Sequence, residues 1–420
     1  MTDNLEAMFD KYADLIVRIG LNLKPGQRLL MVDASRNHGI PIQFAPLVRK
    51  IALKAYQAGA EYVDVIWSDD QMKLLRFQNA PRDSFTIFPE WLAQALVTAV
   101  KRGDALLNIV GINPDLLISQ DPELIGNWHK TVLTHLEPAL EYTRRNAVNW
   151  CLVSGSVTGW AHKVFPEFPE AESVSRLWDA IFKLVRLDQT DPIASWQRHV
   201  VNLKERCNYL NHKRYKAFKY IAPDTKLTVG LPPGHLWKGG QIRSENGIDF
   251  IPNLPTEEIF TLADKSCVDG QVRSTKPLFY SGQIVEDFCL EFSQGKVVNY
   301  SARNGETILK KLFEVDEGAS RLGEVALVPH STPVAQSGLM FYNTLMDENA
   351  ASHLALGAAY KFTLKDGEGM SPDEFAAAGG NYSMTHVDFM IGSREMDIDG
   401  VLEDGTVEPV MRNGEWAFQV

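Results

Sequence analysis

The sequence predicts two domains of different class: an α/β domain with a largely parallel sheet in residues 1–215, and a strand-rich α+β domain in residues 216–420. In the first half, apolar runs of strand length alternate with helical patterns, which is typical of a parallel sheet covered by helices. From about residue 219 onward, short strands and turns replace this alternation. A chain of 420 residues is also about the length of two or three domains.

The predicted elements of the first domain alternate between helix and strand. An amphipathic pattern predicts a helix over residues 4–20, and the turn KPGQ separates it from the apolar run RLLMVDA at 28–34. Further helices are predicted at residues 41–58, 90–102 and around 134–144. The strands between and after them are YVDVIW at 62–67, ALLNIVG at 105–111 and NWCLVS at 149–154.

The second domain is predicted to contain short strands and one inserted helix. A charged helical stretch over residues 169–218, interrupted by DQTDP, leads into it. Strands are predicted in KLTVGLP at 226–232, in FIPNLP at 250–255 and in the alternating segment around 283–300. The segment FYNTLMDENAASHLALGAAY at 341–360 is small and apolar enough to predict a helix.

The predicted helix at 341–360 carries polar side chains among its alanines and leucines. His353 and Tyr360 would share a face, because residues seven apart align after about two turns. Asp347 or Asn349 would cap the start of the helix. Glu348 would converge on His353 only if the helix begins just after it. A packed and hydrogen-bonded core histidine is the structural alternative for His353.

Composition and charge exclude several classes of protein. The chain is 45% hydrophobic and 23% charged, with a net charge of −11, which is an ordinary globular composition. This acidic balance gives no basic face for phosphates, so we expect no nucleic-acid partner. Neither a GxGxxG, a P-loop nor a GxSxG motif occurs, so nucleotide binding and a nucleophile elbow have no support.

The sequence also predicts a cytoplasmic protein without membrane contact. The N-terminus has acids where a signal peptide needs basic residues, and no apolar run approaches the roughly 18 residues of a membrane span. The four cysteines are scattered and form no CxxC pair. We therefore expect free thiols in a reducing compartment, and neither a disulfide framework nor a thiolate metal site.

The segment THVDFMIGS places two metal-binding side chain types two residues apart. On a strand, His386 and Asp388 lie on one face, while Val387 and Phe389 lie on the other. A histidine and an aspartate in this spacing can offer two ligands to one metal ion. A surface strand with two polar residues is the alternative explanation.

Further carboxylates stand beside apolar segments of the second domain. Glu257 and Glu258 lie in the turn region of IPNLPTEEIF, where a solvated acidic turn is the alternative. Glu324 opens the apolar segment LGEVALVP, where a simple edge charge is the alternative. Carboxylates and imidazoles without thiolates suit Zn²⁺, Mn²⁺ or Co²⁺. More ligands than one tetrahedral ion needs indicates two ions, bridged by a shared carboxylate and holding a water between them.

Together these segments resemble the thermophilic metalloaminopeptidase family, that of aminopeptidase T, aminopeptidase S and PepS. The resemblance runs through most of the chain and is strongest from about residue 226 to 400. The matching stretches are VGLPPGHLWKGG, NLPTEEIFTLADK, STKPLFYSG, DEGASRLGEVALVP, FYNTLMDENAASHLALGAAY and HVDFMIGS. Weaker matches in the first half are NLKPGQ, GWAHKVFP and LDQTDPIASWQ.

The resemblance implies a centre of two divalent metal ions per chain, Zn²⁺, Co²⁺, Mn²⁺ or Mg²⁺, in the C-terminal domain. The ligands that it implies are Glu258, Glu324, Glu348, His353, His386 and Asp388. Tyr360 is similar to a family tyrosine that lies beside the metals and acts in catalysis. The family also implies a homodimer with an enclosed active-site cavity, which favours short peptides over folded proteins.

The predicted function is therefore a metal-dependent aminopeptidase that releases N-terminal amino acids from short peptides with a free N-terminus through a water activated by two metals. Tyr360 would donate a hydrogen bond to the developing oxyanion, and Glu324 or Glu348 would carry the proton to the leaving amine. Two alternatives stay open at this point. One is another metal-dependent amidohydrolase or dipeptidase, and the other is a metal-stabilised binding protein without enzymatic activity.

Overall fold

A computed structural model describes residues 3–33, 39–280 and 283–420 of the chain. The chain forms two compact units, the first from Met1–His199 and Gln241–Pro255 and the second from Val200–Gly240 and Thr256–Val420. These units differ from the predicted ranges 1–215 and 216–420 in two respects. Residues 200–215 group with the second unit, and residues 241–255 return to the first.

The first unit is built on a five-stranded parallel sheet, as the sequence predicts. Its strands, in spatial order, are Asn253–Leu254, Trp150–Ser154, Ala105–Val110, Arg28–Met31 and Tyr62–Val65. The first of these comes from the returning segment and pairs with Trp150–Ser154. The main helices of the unit are Asp3–Leu15, Ala45–Gln57, Asp70–Asn79, Glu90–Arg102, Pro122–Arg144, Thr158–Val164 and Glu170–Leu184. The alternation of apolar strands and amphipathic helices thus predicts the class of this unit correctly.

The second unit is rich in antiparallel strands, which confirms the predicted α+β class. The helix Pro192–Lys213 leads into it from the first unit. A nine-stranded antiparallel sheet contains the strands Leu278–Tyr280, Gln283–Ser293, Lys296–Asn304, Val268–Arg273, Thr225–Gly230, Ala217–Ala222, Asp397–Val401, Val407–Arg412 and Glu415–Trp416. The short helices of the second unit are Glu306–Phe313, Pro333–Ser337, Thr344–Asp347 and Pro372–Ala377.

A second sheet of this unit has five antiparallel strands that neighbour one another in chain order. We name them β1 (Lys238–Gly239), β2 (Ile259–Leu262), β3 (Leu322–Leu327), β4 (His353–Gly357) and β5 (His386–Met390). One face of this sheet contributes Val325, Leu354 and Phe389 to the hydrophobic core, which also includes Phe288 of the nine-stranded sheet. The rings of Phe288 and Phe389 are 5.7 Å apart between centroids, so the two sheets share this core.

The prediction of one helix over residues 341–360 is wrong. Only Thr344–Asp347 is α-helical, Glu348–Ala350 forms one 3₁₀ turn, and residues from His353 to Gly357 form β4. Alanine and leucine favour a helix locally, but β4 pairs with strands on both sides and every one of its residues is buried. Pairing on both edges therefore outweighs the local preference.

Gly357 ends β4 in a conformation that other residues rarely adopt. Its φ is +103°, and an added Cβ would lie 2.2 Å from the carbonyl oxygen of Thr385. Only glycine fits both the dihedral angle and the close approach of β5. This turn of the backbone is incompatible with a continuous helix from His353 to Tyr360, so the two residues do not share a helical face.

Two further features of the described residues concern the helices and the cysteines. Within residues 3–33, 39–280 and 283–420, no helix is both long enough and apolar enough to cross a bilayer. All four cysteines are described, and each is a free thiol.

Candidate metal centre

Five of the six predicted metal ligands lie on one face of the five-stranded sheet, which we call the ligand face. On β5, His386 and Asp388 alternate with the core residues Val387 and Phe389, as the strand period of two predicts. Met390 lies two residues after Asp388 on β5, so it is on the same face. His353 of β4 pairs directly with Met390 and therefore lies on this face as well. The pattern HVD therefore predicts the shared strand face of His386 and Asp388 correctly.

A β-bulge places Glu324 of β3 on this same face. Leu322 pairs with Leu356, but Glu324 pairs with Ala355, so the register shifts by one residue at Gly323. Leu322 thus packs in the core, while Glu324, two residues later, turns toward the ligand face. An added Cβ at Gly323 would lie 2.4 Å from the carbonyl oxygens of Gly357 and Ala358, which makes glycine necessary at the bulge.

Glu258 is the residue immediately before β2, and it lies on the same face of the sheet. Phe260 pairs with Ala326 and Leu262 pairs with Glu324, so even-numbered positions of this segment share the ligand face. Ala326, Ala355 and Gly357 are small residues among the ligands. Small side chains at these positions leave room above the sheet for the acids and imidazoles to converge.

The side chains form two groups that share Glu324. Glu258, Glu324 and His353 form one group, and Glu324, His386 and Asp388 form the other; within each group the candidate ligand atoms lie within 4.8 Å of one another. Glu324 therefore stands between the two histidines.

Distances between individual atoms define the geometry of each group. The Nε2 of His353 lies 3.0 Å from Oε2 of Glu258 and 3.7 Å from Oε1 of Glu324. The Nε2 of His386 lies 3.2 Å from Oδ1 of Asp388 and 3.7 Å from Oε2 of Glu324. The two oxygens of Glu324 thus face different histidines.

Backbone carbonyls orient both imidazole rings. The Nδ1 of His353 is 3.1 Å from the carbonyl oxygen of Ala351, and the Nδ1 of His386 is 2.7 Å from that of Ala358. A proton on Nδ1 is donated to the carbonyl in each case, which directs Nε2 toward the carboxylates. Metal-binding histidines are commonly held in this way, with the second ring nitrogen bonded to a backbone oxygen.

Glu348 and Asn349 lie in the 3₁₀ turn that precedes β4. Burial, together with the charges of Glu258 and Asp388, raises the pKa of the Glu348 carboxyl well above its usual value. The Asn349 Oδ1 accepts a hydrogen bond of 2.6 Å from the backbone N–H of Glu257, and its Nδ2 donates one of 2.8 Å to the carbonyl of Leu345. Asn349 therefore ties the segment of Glu258 to the segment of Glu348.

The electrostatics of the centre favour a positive charge. Burial raises the pKa of the Glu324 carboxyl, with Glu258 and Asp388 adding to the effect. For His386, burial opposes the charged form, but the carboxylates of Asp388 and Glu324 outweigh it and raise the pKa to about 10. The same balance, with Glu258 and Glu324 as partners, raises the pKa of His353 well above its ordinary value. The acids thus draw protons onto the imidazoles.

Tyr360 lies three residues after the end of β4, beside the second group. Its ring centroid is 4.9 Å from that of His386 and 5.3 Å from that of Phe362, on which it stacks. Burial and the neighbouring carboxylates, Glu324 first among them, raise the pKa of its phenol well above 10. The phenol therefore keeps its proton and is a hydrogen-bond donor.

The donor set fits divalent cations. Three acids, Glu258, Glu324 and Asp388, converge with two imidazoles on a largely buried surface. The buried carboxyl of Glu348 belongs to neither group, but it lies close enough to interact electrostatically with these acids. Buried carboxylates at this density repel one another unless cations compensate them. Oxygen and imidazole ligands without thiolates suit Zn²⁺, Mn²⁺ and Co²⁺, and the shared position of Glu324 suits an acid that contacts two ions.

Three residues beside the centre are not identified as part of it by the sequence analysis. Asn349 is predicted there only as a helix cap, but it links the two acid-bearing segments. Phe260 packs on Tyr360 with centroids 6.2 Å apart, and Met390 pairs with His353. The strand period alone would have identified Met390, two residues after Asp388, and Phe260, two residues after Glu258. No local signal identifies Asn349.

Comparison with known proteins gives matches over the full length of the chain. The family model for thermophilic metalloproteases (M29) matches residues 5–416. The chain is 45% identical to aminopeptidase 2 of Geobacillus stearothermophilus over 415 residues, which covers 99% of both chains. It is 43% identical to aminopeptidase T of Thermus thermophilus, again over 99% of both chains. It is 38% identical to aminopeptidase PepS of Streptococcus thermophilus, with the same coverage.

A solved structure has the same fold. Wild-type AmpT from Thermus thermophilus superimposes with a TM-score of 0.92 at 42% sequence identity. The match covers 99% of this chain and 100% of that one.

Proposed function

This chain belongs to the thermophilic metalloprotease family M29, and we propose from this premise that it releases single N-terminal residues from short peptides. It is a metallopeptidase that acts on peptide bonds as an exopeptidase. The observation that carries the proposal is the sharing of Glu324 between two groups of metal-binding side chains. Paired ions around one carboxylate are a common arrangement in metallohydrolases that attack amide bonds with water.

The proposed ligands of two divalent ions per chain are Glu258, Glu324, Glu348, His353, His386 and Asp388. Such ions, when bound, polarise the scissile carbonyl and lower the pKa of a water molecule toward neutrality. The oxygen- and nitrogen-rich set is compatible with Zn²⁺, Co²⁺, Mn²⁺ or Mg²⁺. Glu258 and His353 would hold one ion, Asp388 and His386 would hold the other, and Glu324 would contribute to both.

Tyr360 is the proposed oxyanion donor. Its raised pKa keeps the phenol protonated across the neutral range, so the O–H can donate to the oxygen on which negative charge develops. The stacking on Phe362 and the packing on Phe260 hold the ring in place beside His386. A donor fixed in this way needs no reorganisation when the carbonyl is attacked.

Glu324 is the proposed carrier of the proton to the leaving amine. Its carboxylate oxygens lie 3.7 Å from both imidazoles, so it is placed among the groups that would surround the reacting atoms. Glu348, a buried acid that interacts electrostatically with Glu258 and Asp388, is the second candidate for this step. The acids of the centre also suit the positively charged α-amine of a peptide, which would restrict cleavage to free N-termini.

Further parts of the proposal concern the context of the reaction. Residues 216–420 form the proposed catalytic domain, and all proposed ligands lie within the second compact unit. We propose a cytoplasmic homodimer whose cavity admits short peptides, in line with the resemblance and with four free thiols. Light scattering of the purified chain tests the dimer.

The experiment that tests the function measures peptide cleavage after controlled metal loading. The protein is stripped with a chelator, and Zn²⁺, Co²⁺, Mn²⁺ or Mg²⁺ is added back singly. Each sample is assayed on X-Ala dipeptides and leucyl-p-nitroanilide, beside N-acetylated forms of the same substrates. We expect cleavage of the free-amine substrates only, and only with metal.

Two results would overturn the proposal. Cleavage of the acetylated substrates at a similar rate would indicate another amidohydrolase. Folded protein that binds metal but cleaves none of these substrates would indicate a binding role, because a structural metal site stabilises the fold without turnover.

A further inference from the structure

We propose that Asn381 is a positioning residue of the metal centre, which fixes the loop after β4 and thereby the imidazole of His386 and the ring of Tyr360. Asn381 lies between the helix Pro372–Ala377 and β5, and its side chain is buried. The inference rests on the proposed metal ligands and on the proposed role of Tyr360. It adds a residue that acts on both through hydrogen bonds to the backbone.

The side-chain amide of Asn381 donates two hydrogen bonds to backbone carbonyls. Its Nδ2 lies 2.6 Å from the carbonyl oxygen of Gly357, the last residue of β4. The same nitrogen lies 2.9 Å from the carbonyl oxygen of Gly318, in the 3₁₀ turn before β3. An amide nitrogen carries two N–H bonds, so these two carbonyls use its whole donor capacity. Asn381 therefore ties the end of β4 to the turn before β3.

Backbone hydrogen bonds extend this contact along the loop after β4. The carbonyl of Asn381 accepts a bond of 2.9 Å from the N–H of Ala359. The N–H of Ala358 donates to the carbonyl of Thr385, the residue before β5, at 2.7 Å. Asn381 thus holds Gly357 with its side chain and Ala359 with its main chain. The residue between them, Ala358, is fixed from both sides.

The carbonyl of Ala358 is the acceptor that orients His386. The Nδ1 of His386 lies 2.7 Å from this oxygen, while Nε2 lies 3.2 Å from Asp388 and 3.7 Å from Glu324. A displaced Ala358 carbonyl would therefore turn Nε2 away from the carboxylates. Removing a partner that orients a metal-binding histidine typically costs about 10- to 100-fold in metal affinity or activity.

Tyr360 follows the fixed segment directly, because it is the residue after Ala359. The bond between Ala359 and Asn381 is thus one residue away from the proposed oxyanion donor. The ring of Tyr360 lies beside that of His386, with centroids 4.9 Å apart. In an active site, a misplacement of about 1 Å can cost about 100-fold in rate. Loss of the Asn381 bonds should therefore affect the catalytic step as well as metal binding.

A purely structural role is the alternative, and Asn211 of the same unit provides a matched control for it. The Oδ1 of Asn211 accepts from the N–H of Trp237 at 2.8 Å, and its Nδ2 donates to the carbonyl of Trp237 at 3.1 Å. Trp237 directly precedes β1, the edge strand on the side of the sheet opposite β5. Asn211→Ala therefore removes a similar pair of bonds far from β5 in the sheet.

The first measurement is a calorimetric titration of the chelated protein with Zn²⁺. Asn381→Ala should weaken one of the two ions, the one proposed for Asp388 and His386, by about 10- to 100-fold. Asn381→Leu keeps a similar side-chain volume but has no donor, so it should show the same loss. Asn211→Ala should bind both ions with wild-type affinity, although its Tm falls.

A double variant tests whether Asn381 acts through the histidine. If it does, Asn381→Ala combined with His386→Gln should bind Zn²⁺ no more weakly than His386→Gln alone, because residues that act through one another give non-additive effects.

The second measurement is steady-state kinetics on leucyl-p-nitroanilide at saturating Zn²⁺. For Asn381→Ala and Asn381→Leu we expect kcat to fall by about 10- to 100-fold, with KM within about twofold of wild type. Asn381→Ala combined with Tyr360→Phe should have nearly the kcat of Tyr360→Phe alone. Asn211→Ala should keep the wild-type kcat within about twofold.

The outcomes separate the positioning role from the proposed function. Zn²⁺ affinities and kcat of both Asn381 variants that match those of Asn211→Ala overturn the positioning role. Fully additive losses in the two double variants overturn it as well, since Asn381 would then act independently of His386 and Tyr360. Wild type that binds two ions but cleaves no free-amine substrate contradicts the proposed function, and the Zn²⁺ titration then still decides the role of Asn381 toward His386.

Discussion

Glu324 and His386 face each other across the ligand face of the sheet, with Oε2 of the acid 3.7 Å from Nε2 of the imidazole. The other oxygen of the same acid, Oε1, lies 3.7 Å from Nε2 of His353. One carboxylate thus stands between two histidines from different strands. Glu324 therefore belongs to both groups, whereas Glu258 and Asp388 each belong to one group only.

The first prediction concerns metal content. Glu324→Gln should lower the affinity for both ions, because its carboxylate is shared between the two groups. Glu258→Gln should weaken one ion only, since Glu258 belongs to a single group. Elemental analysis after dialysis against a fixed metal concentration measures the ions per chain. Glu257→Gln is the matched control, because this neighbouring acid belongs to neither group and should keep the wild-type content. Two ions retained by Glu324→Gln would contradict its shared role.

The second prediction concerns Tyr360. Tyr360→Phe removes the donor for the oxyanion while leaving the ring stacked on Phe362, so kcat should fall by about 100- to 1,000-fold with metal content unchanged. Steady-state kinetics on leucyl-p-nitroanilide and elemental analysis provide the two measurements. Tyr382→Phe, at an exposed position, is the control and should have wild-type kcat. A Tyr360→Phe variant with unchanged kcat would exclude the donor role.

The strand around His386 shows how far alternation alone can predict a site. The apolar residues Val387 and Phe389 pack in the core, so His386 and Asp388, which alternate with them, must share the other face. This relationship depends only on residues two apart on one strand. Such a pattern is visible in any single sequence, which is why the shared face of His386 and Asp388 is predicted correctly.

The segment around His353 shows where local pattern fails. Its alanines and leucines predict a helix, yet β4 is hydrogen-bonded between β3 and β5 and is buried on both faces. A strand buried on both faces has no alternation to reveal it. Glu324 poses a related difficulty, since a bulge at Gly323 changes the face of the strand within two residues. Both facts depend on partners that are distant in sequence.

The third prediction concerns Asn349, whose side chain joins the segments of Glu258 and Glu348. Asn349→Ala leaves the buried N–H of Glu257 without its acceptor, so the free energy of unfolding should fall by about 1–3 kcal/mol. Urea unfolding at saturating metal measures this change. Asn299→Ala is the control, since the contact of Asn299 is exposed and should contribute little. Equal stability of Asn349→Ala and wild type would show that Asn349 does not hold the two segments together.

The fourth prediction concerns pH and the metal-free protein. The Asp388 and Glu324 carboxylates raise the pKa of His386 to about 10 in the folded chain, against burial and from an ordinary value of 6.5. A raised pKa in the folded state means that the stabilisation is fully present below about pH 6.5 and is lost as pH rises toward 10. The free energy of unfolding of the chelated protein should therefore decrease between pH 7 and 10.

Urea titrations of the chelated protein at pH 7, 8, 9 and 10 measure this slope. Bound ions require neutral imidazoles, so saturating metal should remove the slope or reverse it over the same range. His386→Gln lacks the titrating group, and its chelated form should lose stability less steeply than chelated wild type. Stability of chelated wild type that rises from pH 7 to 10 would contradict the protonated pairing of His386 with Asp388, and with it the view that protons occupy this centre until metal replaces them.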